Sequence, residues 1–207
     1  MTFVEWLSLA LVCLMGAVSP GPSVLVVVNQ TLNGSRLNGV LTAISHGLMV
    51  GVWALVTVLG ISQLLLHIPF LQILLSIFAV IYLLYLAQGA WRGGKMQIST
   101  QRTQRAKSLA SAVSDGAAIA LFNPKLALFF LALFTPFVDA ERGFSEQYLL
   151  VLTPWATDTL WYLVVAVLLS RPASLAWLEQ RQRVINRVLA LALVLIAALL
   201  LIGLAEI

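Results

Sequence analysis

The chain has 207 residues, 61% of them hydrophobic and only 10% charged, with a formal net charge of +4. An ordinary soluble domain carries about 25% charged residues, so this composition cannot cover a soluble fold, and its apolarity excludes a disordered chain. No Asp, Glu, Lys or Arg occurs in the 55 residues from Leu37 to Trp91, and a spanning helix needs roughly 20 apolar residues, so the chain reads as an all-α polytopic membrane protein.

Six transmembrane helices are predicted, in chain order Trp6–Leu32, Val40–Leu66, Phe70–Trp91, Leu109–Thr135, Leu149–Leu169 and Val188–Ala205. A cleaved signal peptide is not expected, because Glu5 stands where a positive n-region belongs. The lone Cys13 excludes a disulfide framework and a cysteine metal cluster. Two histidines, His46 and His67, are too few for a histidine-rich metal site, so neither metal nor cofactor is expected. No Gly-rich phosphate loop, HExxH or GxSxG is present, and no nucleophile–base pair stands out. The chain is not read as an enzyme.

The loops give an orientation. Arg36 lies in the first loop, Arg92, Lys95, Arg102, Arg105 and Lys107 in the third, and Arg171, Arg181, Arg183 and Arg187 in the fifth. These odd loops hold ten of the twelve basic residues, whereas the even loops hold Arg142 alone. The positive-inside rule places the odd loops in the cytoplasm and both termini outside. The basic loop 92–108 therefore reads as a topogenic segment that contacts membrane lipids, not nucleic acid. Asn33-Gly34-Ser35 matches a glycosylation acceptor but falls on the cytoplasmic side, where it is chance.

Helix breakers inside the spans carry the functional signal. Ser19-Pro20-Gly21-Pro22 interrupts the first span near its middle, and Asn123-Pro124-Lys125 interrupts the fourth. Proline removes a backbone donor, and the carbonyls so released must be satisfied by neighbouring helices or line a wet cavity. Three spans separate the two breaks, so the broken helices run in opposite directions. The pattern predicts two inverted three-helix repeats, about 1–91 and 109–207, within a single transporter domain spanning 1–207. Helices 1 and 4 are the interrupted ones.

Charges near the midplane are costly. A central lysine costs about 2.5–3.5 kcal/mol on insertion scales, which makes Lys125 the most expensive residue of the chain. Asp158 sits ten residues into the fifth span, and a Lys125–Asp158 pair would offset both penalties. Pro20, Gly21, Pro22, Asn123, Pro124, Lys125 and Asp158 form the expected transport pathway. Asn29, Gln30, His46 and Asp115 are secondary candidates for the pathway or for coupling. His46 precedes Gly47-x-x-x-Gly51, a pattern of close helix packing, and reads first as a hydrogen-bonded packing histidine. Asp115 is expected near the cytoplasmic mouth of the fourth span.

Ser19-Pro20-Gly21-Pro22, the run Ala79-Val80-Ile81-Tyr82-Leu83-Leu84-Tyr85-Leu86 leading to Trp91-Arg92, and Gly116 leading to Asn123-Pro124-Lys125 resemble the lysine-exporter/homoserine-threonine-exporter (LysE/RhtB) family. The resemblance covers essentially the whole chain. It implies a secondary carrier in the bacterial cytoplasmic membrane that exports an amino acid or related small metabolite, coupled to proton influx. The implied partners are a small zwitterion, protons and lipids, and a homo-oligomer is compatible. Asp158 looks like the family's acidic residue of the fifth span, whereas Asp115 departs from the usual character before Gly116. Two other readings remain open on the residues alone: a structural or interaction protein whose kinks serve packing, and a small-ion transporter.

Overall fold

The structure, a computed structural model, describes residues 1–19, 21–68, 70–92, 108–134, 137, 143–168 and 172–205. The first predicted span is two helices, α1 (Phe3–Val18) and α2 (Pro22–Asn33), bent by 59°. Thr2 and Glu5 open α1 with a capping box, the Thr2 hydroxyl accepting from the Glu5 N–H and the Glu5 carboxylate from the Thr2 N–H. Only Gly34 and Ser35 separate α2 from helix α3 (Arg36–His67), and α4 (Phe70–Trp91) coincides with the predicted third span. The fourth span is again broken: α5 (Leu109–Phe122) meets α6 (Pro124–Leu128) at 47°, and a π-helical turn, Phe129–Phe134, continues it.

Helix α7 (Phe144–Leu168) covers the predicted fifth span, and α8 (Pro172–Ala205) covers the predicted sixth. Arg181, Arg183 and Arg187, which polarity predicts to lie in the fifth loop, instead lie on the first half of the 34-residue α8. Pro172 opens the helix, and the Ala, Leu, Glu, Gln and Arg that follow are strong helix formers with no breaker among them. Polarity ended the predicted span; it does not end a helix.

Among the described residues, three helices are long and apolar enough to cross a membrane, and the two bent pairs raise the number to as many as five. The chain is an all-α polytopic membrane protein. Helix α3 packs between α5 and α7, α4 packs against α8, and α1 and α2 lean on α7 and α3. The pairing of α3 with α7 and of α4 with α8 is a pseudo-symmetric arrangement.

Glycines set the closest approaches. A Cβ at Gly47 would collide with the Thr159 side chain, and one at Gly51 would sit 3.3 Å from Trp155. These two glycines let α3 lie directly on α7, as the Gly47-x-x-x-Gly51 spacing suggests. A Cβ at Gly116 would strike the Thr42 carbonyl and Ser45, so α5 closes on the opposite side of α3.

Contacts group the helix ends. Asn38, near the start of α3, donates to the Ser108 carbonyl ahead of α5 at 3.2 Å, and the Arg187 guanidinium on α8 lies 5.9 Å from the Trp91 ring at the end of α4. The Met1 ammonium pairs with Glu146, and the Trp6 indole donates to Thr153 at 3.2 Å.

Candidate functional site

Each break restarts a helix with proline in its first turn, where the missing N–H is not needed. At the second break Asn123 is the N-cap, and its side-chain oxygen accepts from the Lys125 N–H at 3.0 Å. Pro124 has no N–H to give the carbonyl four residues earlier, that of Ala120. The Trp53 indole donates to it instead, at 3.1 Å. The released acceptor is therefore satisfied from α3, as a membrane interior requires.

The first break is built differently. Gly21 caps α2 in an extended conformation, with no side-chain hydrogen bond to the helix. Its carbonyls are served from elsewhere: the Tyr162 hydroxyl donates to Ala17 at 3.2 Å, and the Lys125 ammonium donates to Ser19 at 2.8 Å. Pro20 lies outside the described residues.

The expected Lys125–Asp158 pair does not form. Lys125 is held by the Ser19 carbonyl, whereas Asp158 Oδ2 lies 2.7 Å from His46 Nδ1. Glycine 47 explains the choice: by bringing α3 onto Thr159 it delivers the adjacent His46 to the adjacent Asp158. From there the hydrogen bonds continue. His46 Nε2 is 2.9 Å from Ser23 Oγ, and the Asn123 amide donates to the same oxygen at 3.0 Å. His46 is fully buried, and Ser23, Asp158 and Asn123 nearly so. One chain of polar contacts runs from α7 through α3 and α2 into the second break.

A cavity of about 30 Å³ separates the breaks, room for about two ordered waters. Ser19, Gly21, Ser23, Asn123, Lys125 and Asp158 supply its polar lining, and Cys13, Phe129 and Tyr162 are among the remaining walls. A Cβ at Gly16 would lie 2.7 Å from the Phe129 ring, so the first π-helical residue plugs against α1.

The structure thus brings Gly21, Asn123, Lys125 and Asp158 to one cavity, with Pro22 and Pro124 opening the helices beside it and His46 behind Asp158. It sets the other candidates apart. Gln30, fully buried on α2, donates to Asp115 of α5 at 2.6 Å, and its own Oε1 has no hydrogen-bond partner among the described residues. Asn29 accepts from Asn33 one turn later, near the end of α2. Three participants were not singled out for the site from sequence: Ser23, Tyr162 and Trp53. Tyr162 follows Asp158 by four residues, one helical turn on the same face, and Ser23 directly follows Pro22. Those signals were available; Trp53 offered none beyond its place in a span.

Residues 14–204 match the family model described as LysE type translocator. The chain belongs to this family. It is also similar to the threonine efflux proteins of two Escherichia coli strains, 25% identical over 171 residues that cover 81% of this chain and 82% of each relative. An uncharacterized membrane protein of Pseudomonas aeruginosa is 29% identical over 169 residues, covering 79% of this chain and 78% of its own. No solved structure matches. Members of the family are translocators, not enzymes, and the chain is a multi-pass protein of the bacterial inner membrane. The serine–histidine–aspartate order of Ser23, His46 and Asp158 is that of a hydrolytic triad, and the sequence had shown no such pair. Here the three are buried and joined by hydrogen bonds.

Proposed function

We propose that the chain is a secondary exporter of an amino acid or a related small zwitterion, driven by proton influx across the inner membrane. The observation that carries this reading is the meeting of two helix breaks at one cavity lined by a lysine and an aspartate. The Lys125 ammonium suits a carboxylate and the Asp158 carboxylate suits an amino group. The start of α2, with first-turn N–H groups that have no intrahelical acceptor, adds a second attraction for a carboxylate. The relatives named for threonine efflux support an amino-acid cargo.

In this reading the whole chain is one transporter domain of six spans in two inverted repeats, with the odd loops cytoplasmic and both termini outside. The pathway comprises Pro20, Gly21, Pro22, Asn123, Pro124, Lys125 and Asp158, with His46 in coupling and Asn29, Gln30 and Asp115 toward the cytoplasmic mouth. The small cavity corresponds to a closed state. Transport then requires α2 and α5 to part at Gln30–Asp115 on one side, and α1 to leave Phe129 on the other.

Sealed vesicles containing the purified protein, an imposed pH gradient and a panel of radiolabelled L-amino acids beginning with L-threonine test the proposal. Gradient-dependent flux of at least one amino acid, abolished by a protonophore, is expected. Absence of flux across the panel from correctly folded protein would refute it.

A further inference from the structure

His46 and its partners carry a more specific inference, which rests on the transport reading above. We propose that the proton and the cargo's amino group compete for the single negative charge of Asp158, with His46 as the proton-binding group and Ser23 as the hydroxyl that adjusts to it.

The hydrogen-bond inventory leads there. Asn123 Nδ2 can only donate, so Ser23 Oγ accepts from it at 3.0 Å. With a neutral His46, Ser23 donates its own hydrogen to Nε2 at 2.9 Å, and the Nδ1–H donates to Asp158 at 2.7 Å. Every member is then satisfied, and the His46–Asp158 pair carries one negative charge. A proton arriving from water binds at Nε2. Ser23 Oγ then accepts from both His46 and Asn123, filling its two lone-pair positions, and its own hydrogen turns toward the Tyr162 hydroxyl beside the cavity that both residues line. The pair is now neutral overall.

An ammonium group in the cavity is attracted to the first state and not to the second. Asp158 lines that cavity while its Oδ2 is engaged by His46, which leaves Oδ1 to receive the cargo. Occupancy by proton and by cargo are therefore mutually exclusive, the condition for exchanging one against the other across a membrane. The titratable or charged groups that line the cavity facing the pair are Cys13 of α1, Tyr82 of α4, Lys125 of α6 and Tyr162 of α7. Tyr162 also stands edge-on to the His46 ring at 4.9 Å. From α2 the facing group is Ser23, which does not titrate, and Asp115 of α5 is turned to Gln30. Lys125 Nζ lies 2.8 Å from the Ser19 carbonyl at the cavity's other end, where an ammonium suits a carboxylate.

Two measurements decide it. Purified wild-type protein in a weakly buffered detergent solution is titrated with L-threonine, or with the amino acid that the flux panel selects, at a series of pH values from about 5 to 8, while released protons are followed with a pH-sensitive dye. Protons released per molecule bound are expected to rise toward one as the pH falls; binding without proton release at every pH overturns the inference. In vesicles, His46→Gln is expected to lower accumulation driven by a pH gradient at least tenfold more than it lowers amino acid–amino acid exchange. A residue that merely packs would impair both together, and gradient-driven accumulation surviving in His46→Gln overturns the inference. If that variant does not fold, the wild-type proton release decides alone. Failure of the transport reading looks different: no amino acid binds or exchanges in wild type, which overturns both proposals, whereas failure of competition alone leaves exchange intact with no proton released.

Discussion

The two helix breaks answer the same requirement in different ways. Each contains proline, each opens a new helix, and each leaves carbonyls that lipid cannot satisfy. The second carries its own cap, because the Asn123 side chain closes on the Lys125 N–H. The first has glycine at that position and no side-chain cap, so it is held by Tyr162 and by the Lys125 ammonium. The first break is thus conditional on the rest of the bundle, including the second break, and the dependence is not reciprocal in kind. For a transporter this separates a firm element from one that can let go.

Variants probe that asymmetry in order of expected effect. Lys125→Ala removes the ammonium that holds the Ser19 carbonyl. Losing a charge-assisted hydrogen bond costs about 1.5–3 kcal/mol, so vesicle flux is expected to fall about tenfold to a hundredfold, with Lys125→Arg recovering part of it. If Lys125→Ala transports normally, the dependence of the first break on the second is wrong.

Next come the two aromatic donors. Tyr162→Phe leaves the Ala17 carbonyl without its donor, a loss of about 1–3 kcal/mol that should appear as a lower thermal midpoint in detergent. Trp53→Phe deprives Ala120 in the same way, but the Asn123 cap remains and a phenyl ring preserves the stacking on Phe130. Its midpoint should fall less. The reverse ranking would show that the second break leans on its neighbours more heavily than the first.

The caps themselves give a smaller contrast. Asn123→Ala should cost about 1 kcal/mol from the lost cap, plus its bond to Ser23. Gly21→Ala should change the thermal midpoint little, because the extended backbone there admits any residue and the added Cβ would meet the movable end of Lys125 at 3.4 Å. Asp115→Asn is the mildest. An amide can still accept from Gln30, and flux is expected to stay within about twofold of wild type, a change of a few tenths of a kcal/mol. A severe loss would move Asp115 into the transport site proper.

Much of this was legible before any coordinates. The spans at Phe70–Trp91 and around the two proline motifs follow from apolar length and from what proline does to a helix. Gly21-Pro22 and Asn123-Pro124 announce helix starts, since a cap followed by proline is what a first turn accepts. The start of α8 is not legible from its arginines, because they mark the edge of a membrane and not the end of a helix. Trp53 stayed hidden for another reason: an indole in an apolar span reads as packing until the carbonyl it serves is known.

Sequence by itself determined the membrane class, the places where helices must break, and the cost of Lys125 and Asp158, because these depend on composition and local backbone chemistry. Tertiary structure alone decided the partners. Opposite charges in one low-dielectric interior suggest a pair, yet which atoms meet is set by helix approach. Gly47 lets α3 settle against α7, and that contact gives Asp158 to His46 and leaves Lys125 to a backbone oxygen.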